Sequence, residues 1–489
     1  MIMAAAWWAV SASAWGQPAV SEPLRYSMAT PRPINPAEGT TNPSARATQS
    51  QNPYLGSVPS PATGTTMELS LQGAIHRGLR YNLGLIESNQ GNADVHADRL
   101  RALAALLPDL EVRGRQVYQN ISYKEIGLKL PSIPGIPALP AAGEGFGFQD
   151  ARVGLSQSIF NNTLRQEYRA RKDDERASAL NVKDSKDVVV LAVGTAYVQV
   201  IASAARVETA KAELASAQEL DRQASDRVKS ELSPEIDSLR AQVELQSAEQ
   251  RLTNADNQYE KDKLTLARIV GLAVDQKFVL TDRLAYHPIT GLTDETATRE
   301  ALQARADLAS AEASVRAAQS TLRAQKAERL PVVSLNADFG GGGVNVGSFN
   351  SVYTVAGNIS IPIYTGGRIQ ADIEQAKADL ARKQAEYEDL RGRVAYDVRS
   401  AWLDVSASDS SVKVAERNKT LAEKALTQSR DRYINGVANY LEVVQAEEAV
   451  AGANDNYIDS LYSLNVAMIS LARAMGGAET RLDQFLGAR

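Results

Sequence analysis

The stretch Leu155-Ser156-Gln157-Ser158-Ile159-Phe160 returns 204 residues later as Ile359-Ser360-Ile361-Pro362-Ile363-Tyr364. A second stretch, Leu266-Ala267-Arg268-Ile269-Val270-Gly271, returns at nearly the same offset as Leu471-Ala472-Arg473-Ala474-Met475-Gly476. Because the spacing holds over much of the chain, the repeating unit is as large as a domain and carries strands and long helices together. The sequence therefore predicts two copies of one design.

The composition favours long helices and excludes several classes of site. Aromatic residues make up only 6% of the 489 residues, while Ala, Gln, Glu, Lys, Arg and Leu dominate the middle of the chain. The net charge of -5, without a conspicuous Lys/Arg cluster, argues against a nucleic-acid partner. The chain has no cysteine, which removes disulfides, thiolate metal sites and an acylated cysteine anchor. No run of eighteen apolar residues occurs, so we expect no membrane-spanning helix.

Prolines and composition shifts divide the chain into six segments. The apolar, Trp-rich start resembles a signal peptide without its basic region, and a short apolar tag is the alternative. The proline-dense stretch that follows is predicted to be a disordered leader. The predicted segments are a signal peptide (1–16), the leader (17–66), the first repeat (67–272), a connector (273–297), the second repeat (298–477) and a C-terminal tail (478–489).

Each repeat is predicted to contain a very long helix and a shorter return helix. Thr163 to about Leu232 contains no proline and one glycine, which indicates a helix about 105 Å long at 1.5 Å per residue. Pro234 then precedes a return helix to Val270. The second repeat follows the same plan with helices Gly367–Asn435 and Asn439–Met475. A single helix from Ser70 to Leu107, and another ending at Leu330, bring the prediction to six helices.

Four short segments in which apolar and polar residues alternate are predicted to be strands. They are Leu110–Ile121, Ala151–Phe160, Val332–Phe339 and Val352–Tyr364. Such alternation is typical of a barrel wall between lipid and a watery lumen, although a half-buried soluble sheet gives the same pattern. Four strands cannot close on themselves, and open edges are not tolerated in lipid. Two chains give a filled eight-stranded barrel and three give twelve strands with an opening, so we expect a homotrimer.

The paired motifs also carry a family resemblance. Leu107-Pro108-Asp109-Leu110 with its counterpart Leu330-Pro331-Val332-Val333, the two strand stretches quoted above, and Arg432-Tyr433-Ile434-Asn435-Gly436 are similar to the TolC-type outer-membrane efflux family. Each motif alone is loose, but their order, duplication and spacing are specific. The resemblance extends over residues 67–477.

The resemblance implies a mainly α protein with a β-barrel. A long coiled-coil helical barrel would join four transmembrane β-strands per chain, closing as a trimeric 12-stranded barrel, with residues 273–297 in an equatorial belt. The implied function is an exit duct in the cell outer membrane, without a cofactor or enzymatic activity. Its implied partners are outer-membrane lipid, a periplasmic adaptor and an inner-membrane pump of the RND, ABC or MFS type. The alternative from another class is a soluble periplasmic coiled-coil adaptor or scaffold.

The resemblance also implies a gate at the two turns between long helices. Glu442 takes the position of an acidic ring, and Asp237 that of an acid bonded to the tyrosine at Tyr433. This sequence departs from the family by placing Gln445 at a second ring acid and Ala438 at an arginine that ties the coils; Arg432 and Arg240 are candidate substitutes. The turns around Glu231 and Gly436 are the implied adaptor-docking sites.

Each of these residues also has a simpler interpretation. Glu442 and Asp237 suit the first turn of any solvated helix, where the helix dipole favours acids. Tyr433 suits ordinary packing between helices, and Gly436 suits a helix C-cap.

Overall fold

A computed structural model describes residues 52–62, 64–120, 145–231, 233–283, 286–287, 291–344 and 349–481. The chain divides into two units, Met1–Ser50 and Gln51–Arg489, and every described element belongs to the second. The predicted signal peptide, the first part of the leader, the loop 121–144 and most of the tail lie outside the described residues.

The α-helices form four matched pairs, as the duplication requires. Their lengths are 11 and 11, 22 and 22, 68 and 67, and 36 and 36 residues. The pairs are α1 (Leu71–Tyr81) with α5 (Asp294–Ala304), α2 (Leu83–Ala104) with α6 (Ala306–Ala327), α3 (Asn162–Lys229) with α7 (Arg368–Ile434), and α4 (Glu235–Val270) with α8 (Tyr440–Met475). The long helices and their return helices are thus close to the predicted bounds.

The helix predicted from Ser70 to Leu107 is wrong, because it is broken at Asn82. This residue is extended, with ψ 131°, and Arg305 makes the same break between α5 and α6 with ψ 125°. The buried Asn82 side chain accepts from the amide of Gly84 at 3.0 Å and donates to the carbonyl of Tyr54 at 2.7 Å. The described residues therefore contain eight α-helices rather than six.

One antiparallel sheet contains all four predicted strands. Its order is β2-β3-β5-β6. The strands are β2 (Asp109–Gln119), β3 (Phe146–Phe160), β5 (Val332–Gly343) and β6 (Asn350–Ser360). The last predicted strand therefore ends four residues early, before Ile361. Two short strands that were not predicted, β1 (Met67–Leu69) and β4 (Phe278–Leu280), form a separate parallel pair.

The four-stranded sheet has one apolar and one polar face. The register places Val153 between Val112 and Phe339, and Leu155 between Leu110 and Ala337. Ala337 and Phe339 in turn face Val355 and Tyr353. The opposite face carries Glu111, Arg113, Asp150, Arg152, Ser156, Asn336, Asp338, Thr354 and Asn358. On that face Arg152 pairs with both Asp150 and Asp338 at 2.8 Å. The predicted alternation therefore holds in the middle of every strand, whereas Val117, Phe148, Val332 and Val352 also lie on the polar face.

The helices next to the sheet form a layer in the same order as the strands. α2 packs on α3, α3 on α6, and α6 on α7. In α7 a stripe of apolar residues at coiled-coil spacing faces the neighbouring helices, with Ile369, Ile373 and Val394 buried.

The middle of α3 contains a long apolar segment. An 18-residue window there has the length and composition to cross a membrane, although core helices of folded proteins pass the same test. Of that window, 56% is buried inside the chain. Val189, Val190 and Val193 are fully buried in a core shared with α1 and the end of α4. Val394 and Val398 of α7 occupy the matching core with α5 and α8.

The last part of the predicted leader is ordered against the first repeat. The Tyr54 hydroxyl lies 3.0 Å from that of Ser185, and the Val58 amide donates to the carbonyl of Tyr81 at 2.9 Å. Ser60 donates from its amide and its hydroxyl to the carbonyl of Gly271. The disorder predicted for residues 17–66 is therefore wrong for residues 52–62, because their polar groups form hydrogen bonds with the folded repeat.

Candidate gate at the helix turns

Each long helix is joined to its return helix by a turn. This turn lies at the end of the long helix that is farthest from the sheet. In the second turn Gly436 adopts a left-handed φ of 73°, which a side chain disfavours. Asn435 donates to the carbonyl of Asp431 at 2.7 Å, and Asn439 accepts from the amide of Glu442 at 3.1 Å. Glu231 in the first turn has φ 58°, the one positive φ of a non-glycine among the described residues.

A small core joins the four helix ends at these turns. Tyr433 and Tyr440, 4% and 1% exposed, meet edge to face with ring centroids 5.7 Å apart. The other buried members come from three helices: Leu220 and Ala224 of α3, Ala241 of α4, and Val443 of α8. The two helical hairpins are therefore held together by packing at this end.

Arg227 of α3 crosses between the two hairpins. Its guanidinium lies 4.7 Å from the centroid of the Tyr433 ring, a cation–π contact. Its Nη1 donates to the carbonyls of Tyr433 and Ile434 at 3.4 and 3.5 Å, at the end of α7. The sequence does not indicate these contacts, because the partners of Arg227 are a ring and backbone carbonyls that lie far along the chain.

Both candidate gate acids have a cation nearby within the chain. Glu442 pairs with Arg432 at 3.0 Å and is partly exposed. Asp237 lies 3.9 Å from Arg240 and is only 14% exposed. Arg432 and Arg240 are the two residues that the sequence offered in place of an arginine at Ala438. Gln445 is exposed and forms no hydrogen bond within the described part of the chain.

The bond between Asp237 and Tyr433 that the resemblance implies is absent from this structure. The Tyr433 hydroxyl is buried and has no hydrogen-bond partner among the described residues. The ring instead points into the core with Tyr440, while Asp237 lies beside Arg240 in the first turn of α4. Tyr440 has a similarly unpartnered hydroxyl, and burial, followed by the carboxylates of Glu447 and Glu244, raises its pKa.

A cavity of 450 Å³, lined mostly by polar side chains, lies between the two hairpins, nearer to the sheet than this core. Glu447 accepts from Ser216 at 2.9 Å and from Arg430 at 2.7 Å. Glu244 accepts from Arg251 at 2.6 Å. Among the residues that the structure describes, no group of three or more His, Asp or Glu side chains is arranged to hold a metal ion. The cavity is thus lined by charged side chains that pair with neighbouring polar groups.

The described chain is thus a duplicated set of long helices with a two-faced sheet at one end and polar turns at the other. The sequence profile described as "Outer membrane efflux protein" matches residues 89–272 and 297–477. The chain therefore belongs to the outer membrane efflux protein family. This membership confirms the resemblance to TolC-type proteins, the outer-membrane location and the role in efflux, and the family consists of transport proteins.

Individual relatives agree with this membership. The pyoverdine export outer membrane protein OpmQ of Pseudomonas putida is 26% identical over 62% of this chain, and the match spans 64% of the length of that relative. The outer membrane protein TolC of Vibrio cholerae is 22% identical over 67% of this chain and 76% of its own length. The Campylobacter jejuni CmeC outer membrane channel superposes with a TM-score of 0.72 at 15% identity, covering 91% of this chain and 94% of CmeC. That superposition establishes a shared fold.

Proposed function

We propose that this protein is the exit duct of a tripartite efflux or type I secretion system. It passively conducts substrates from an inner-membrane pump, through a periplasmic adaptor, to the cell exterior. The observation that carries the proposal is the segregation of the four-stranded sheet into an apolar and a polar face. Lipid would cover the apolar face and water the polar face.

Closure of the sheet supports a trimer. Strands β2 and β6 are the two edges, and each leaves a row of backbone groups unpaired by the other described strands. Such edges are not tolerated in lipid, so β2 of one copy would pair with β6 of the next. Two copies give a barrel that side chains fill, while three give twelve strands and an opening. The helical layer α2-α3-α6-α7 would continue the wall into the periplasm.

The gate proposal places the closed end at the two turns. Glu442 and Asp237 would face the entrance, with Gln445 lowering the acidity, and Arg227 and Tyr433 would tie the hairpins within one copy. Glu231 and Gly436 would form the adaptor-docking turns. Residues 273–297 and the tail 478–489 would contribute to an equatorial belt, with residues 1–16 as a signal peptide. Among the described residues no atom lies within 4 Å of a Cβ built on Gly436, so this turn has room for a partner.

The gate is tested by a Glu442→Ala variant in planar bilayers. Three copies of Glu442 near one axis attract cations, although Arg432 partly offsets each charge. We expect the reversal potential under a salt gradient to move toward the value of a non-selective pore. A Glu448→Ala variant, which removes an exposed acid of the same helix, is the matched control. An unchanged reversal potential in Glu442→Ala would remove Glu442 from the ring.

Fractionation of cells that express the full chain tests the function itself. The duct should remain in the outer membrane after washing with high salt, and the purified protein should form conducting trimers in a bilayer. A soluble periplasmic scaffold, the competing function, would appear in the periplasmic fraction and conduct no current. That second result would overturn the proposal.

A further inference from the structure

A basic patch lies on the helical layer next to the sheet. It surrounds a groove of 460 Å³ between α3 and α6. The lining residues are Arg169, Lys172, Asp173 and Arg176 of α3 with Ser320 and Arg323 of α6. All four cationic side chains are exposed. They gather only in the folded chain, because Arg323 is distant in the sequence.

The patch carries more positive charge than the chain neutralises. Asp173 is the one acid of the lining, and its Oδ1 already lies 4.0 Å from Nε of Arg316. Within the described residues Lys172, Arg176 and Arg323 form no ion pair. Like charges on successive helical turns repel, so the patch favours a bound anion.

The patch lies on the same side of the chain as the apolar face of the sheet. A register shift after Ser158 pairs Phe160 with Val333, which belongs to that apolar face. The Arg165 guanidinium lies 5.7 Å from the centroid of the Phe160 ring. Arg169, Lys172 and Arg176 follow Arg165 at helical spacings of three and four residues, so they continue along the same side of α3.

The position of the patch matches the boundary of a bilayer. α3 begins at Asn162, so Arg169 lies about 10 Å and Arg176 about 21 Å along the helix from the sheet. Arg323 lies about one turn before the end of α6 at Ala327. If lipid covers the apolar face, its head groups would lie near Arg169 and Arg323, the part of the patch that is nearest to the sheet. The groove lies at the centre of the layer α2-α3-α6-α7, away from the edges where another copy would join.

We propose that this patch binds the phosphate groups of anionic phospholipids in the leaflet that adjoins the helices. The proposal rests on the proposed function, because it requires the sheet to span the outer membrane. Basic side chains at a membrane boundary select anionic head groups by charge, and long arginine and lysine side chains reach several ångströms toward them. The bound lipid would fix the depth and tilt of the duct.

Native mass spectrometry of the purified full-length protein, released from vesicles of equal phosphatidylglycerol and phosphatidylcholine, tests the proposal. The wild type should retain phosphatidylglycerol preferentially. The variant R169Q/R176Q/R323Q should lose this preference by about fivefold per charge, roughly 100-fold in total. The charge-matched control K211Q/R222Q/K261Q removes three exposed cations far from the sheet and should behave as the wild type. The variant R169K/R176K/R323K keeps the charges and should keep the preference.

Two results would overturn the lipid site. The first is an unchanged phosphatidylglycerol preference in the triple glutamine variant. The second is displacement of the lipid by a large excess of inorganic phosphate, which would indicate a site for soluble anions. Bilayer conductance of the same preparations separates this inference from the proposed function. Loss of the lipid preference in the triple glutamine variant, with normal conductance, supports the lipid site. A wild type that conducts no current would instead contradict the proposed duct.

Discussion

At the scale of single residues, Gly78 of α1 lies so close to α3 that no side chain fits there. A Cβ on Gly78 would lie 2.5 Å from Cγ2 of Val193, a stiff and fully buried side chain. We expect Gly78→Ala to lower the thermal stability, because overpacking costs about 1–3 kcal/mol while the gain in helix propensity is only about 1 kcal/mol. Differential scanning fluorimetry of the purified protein measures the change. Gly91→Ala in α2 is the matched control, since no atom lies within 4 Å of its added Cβ. It should leave the melting temperature unchanged or raise it.

Glu213, which lines the cavity between the two hairpins, should make the stability depend on pH. Burial raises its pKa above the ordinary 4.5, with Arg251 opposing and Asp455 adding to the shift. The folded chain therefore binds this proton more readily than the unfolded chain, so its contribution to stability falls as pH rises above 4.5. Glu213→Gln mimics the protonated form. We expect the variant to gain less thermal stability than the wild type between pH 7 and pH 5.

The control for this pH effect is Glu374→Gln. Glu374 is fully exposed, and hydrogen bonding to Lys377 lowers its pKa, so its contribution has the opposite sign. Its removal should not reduce the stabilisation on acidification. Identical melting curves for the wild type and Glu213→Gln at both pH values would contradict the assignment.

At the scale of elements, Arg227 links the end of α3 to the end of α7. Arg227→Met keeps an apolar stem but loses the cation–π contact and the two bonds to α7 carbonyls. A cation–π contact is worth about 0.5–2 kcal/mol. We expect the variant to open more often, with a higher mean current in planar bilayers. Arg222→Met is the control, because among the described residues Arg222 pairs only with Glu219 and Asp226 of its own helix. Equal currents for wild type and Arg227→Met would show that Arg227 does not hold the closed turns together.

The bounds of the elements show what the sequence alone can supply. Proline and glycine mark the ends of the long helices and of the strands, because their backbone limits act locally; Pro108, Pro331, Gly271 and Gly476 are examples. The breaks at Asn82 and Arg305 escaped prediction because distant contacts hold them. Arg305 bonds to Asp397, 92 positions away.

For the candidate gate too, the sequence indicates local features but not distant contacts. Its turn was recognisable from Asn435-Gly436 and the acids that follow, which are local signals. The partners were not, because Arg227 reaches Tyr433 across 206 positions and the Tyr433 ring turns away from Asp237 into the core with Tyr440. Burial and partner choice depend on how the two hairpins pack, which no local pattern contains.

At the scale of the whole molecule, the two faces of the sheet must meet different solvents if three copies form a barrel. Val355 and Thr354 are neighbours in β6 on opposite faces, and both are exposed in the single chain. An arginine at the lipid face of a barrel costs about 2–4 kcal/mol at the bilayer midplane, whereas a lumen position tolerates it. Val355→Arg should therefore reduce the amount of trimer in the outer membrane, as measured by fractionation and unheated gel electrophoresis.

Thr354→Arg is the counterpart with the same added side chain. It should assemble at the wild-type level, and its conductance should shift toward anions because three cations would be added to the lumen. A soluble sheet would make no such distinction between neighbouring positions, since water would reach both faces of β6. Equal assembly of the two variants would therefore exclude a lipid-facing Val355, and with it the barrel on which the duct depends.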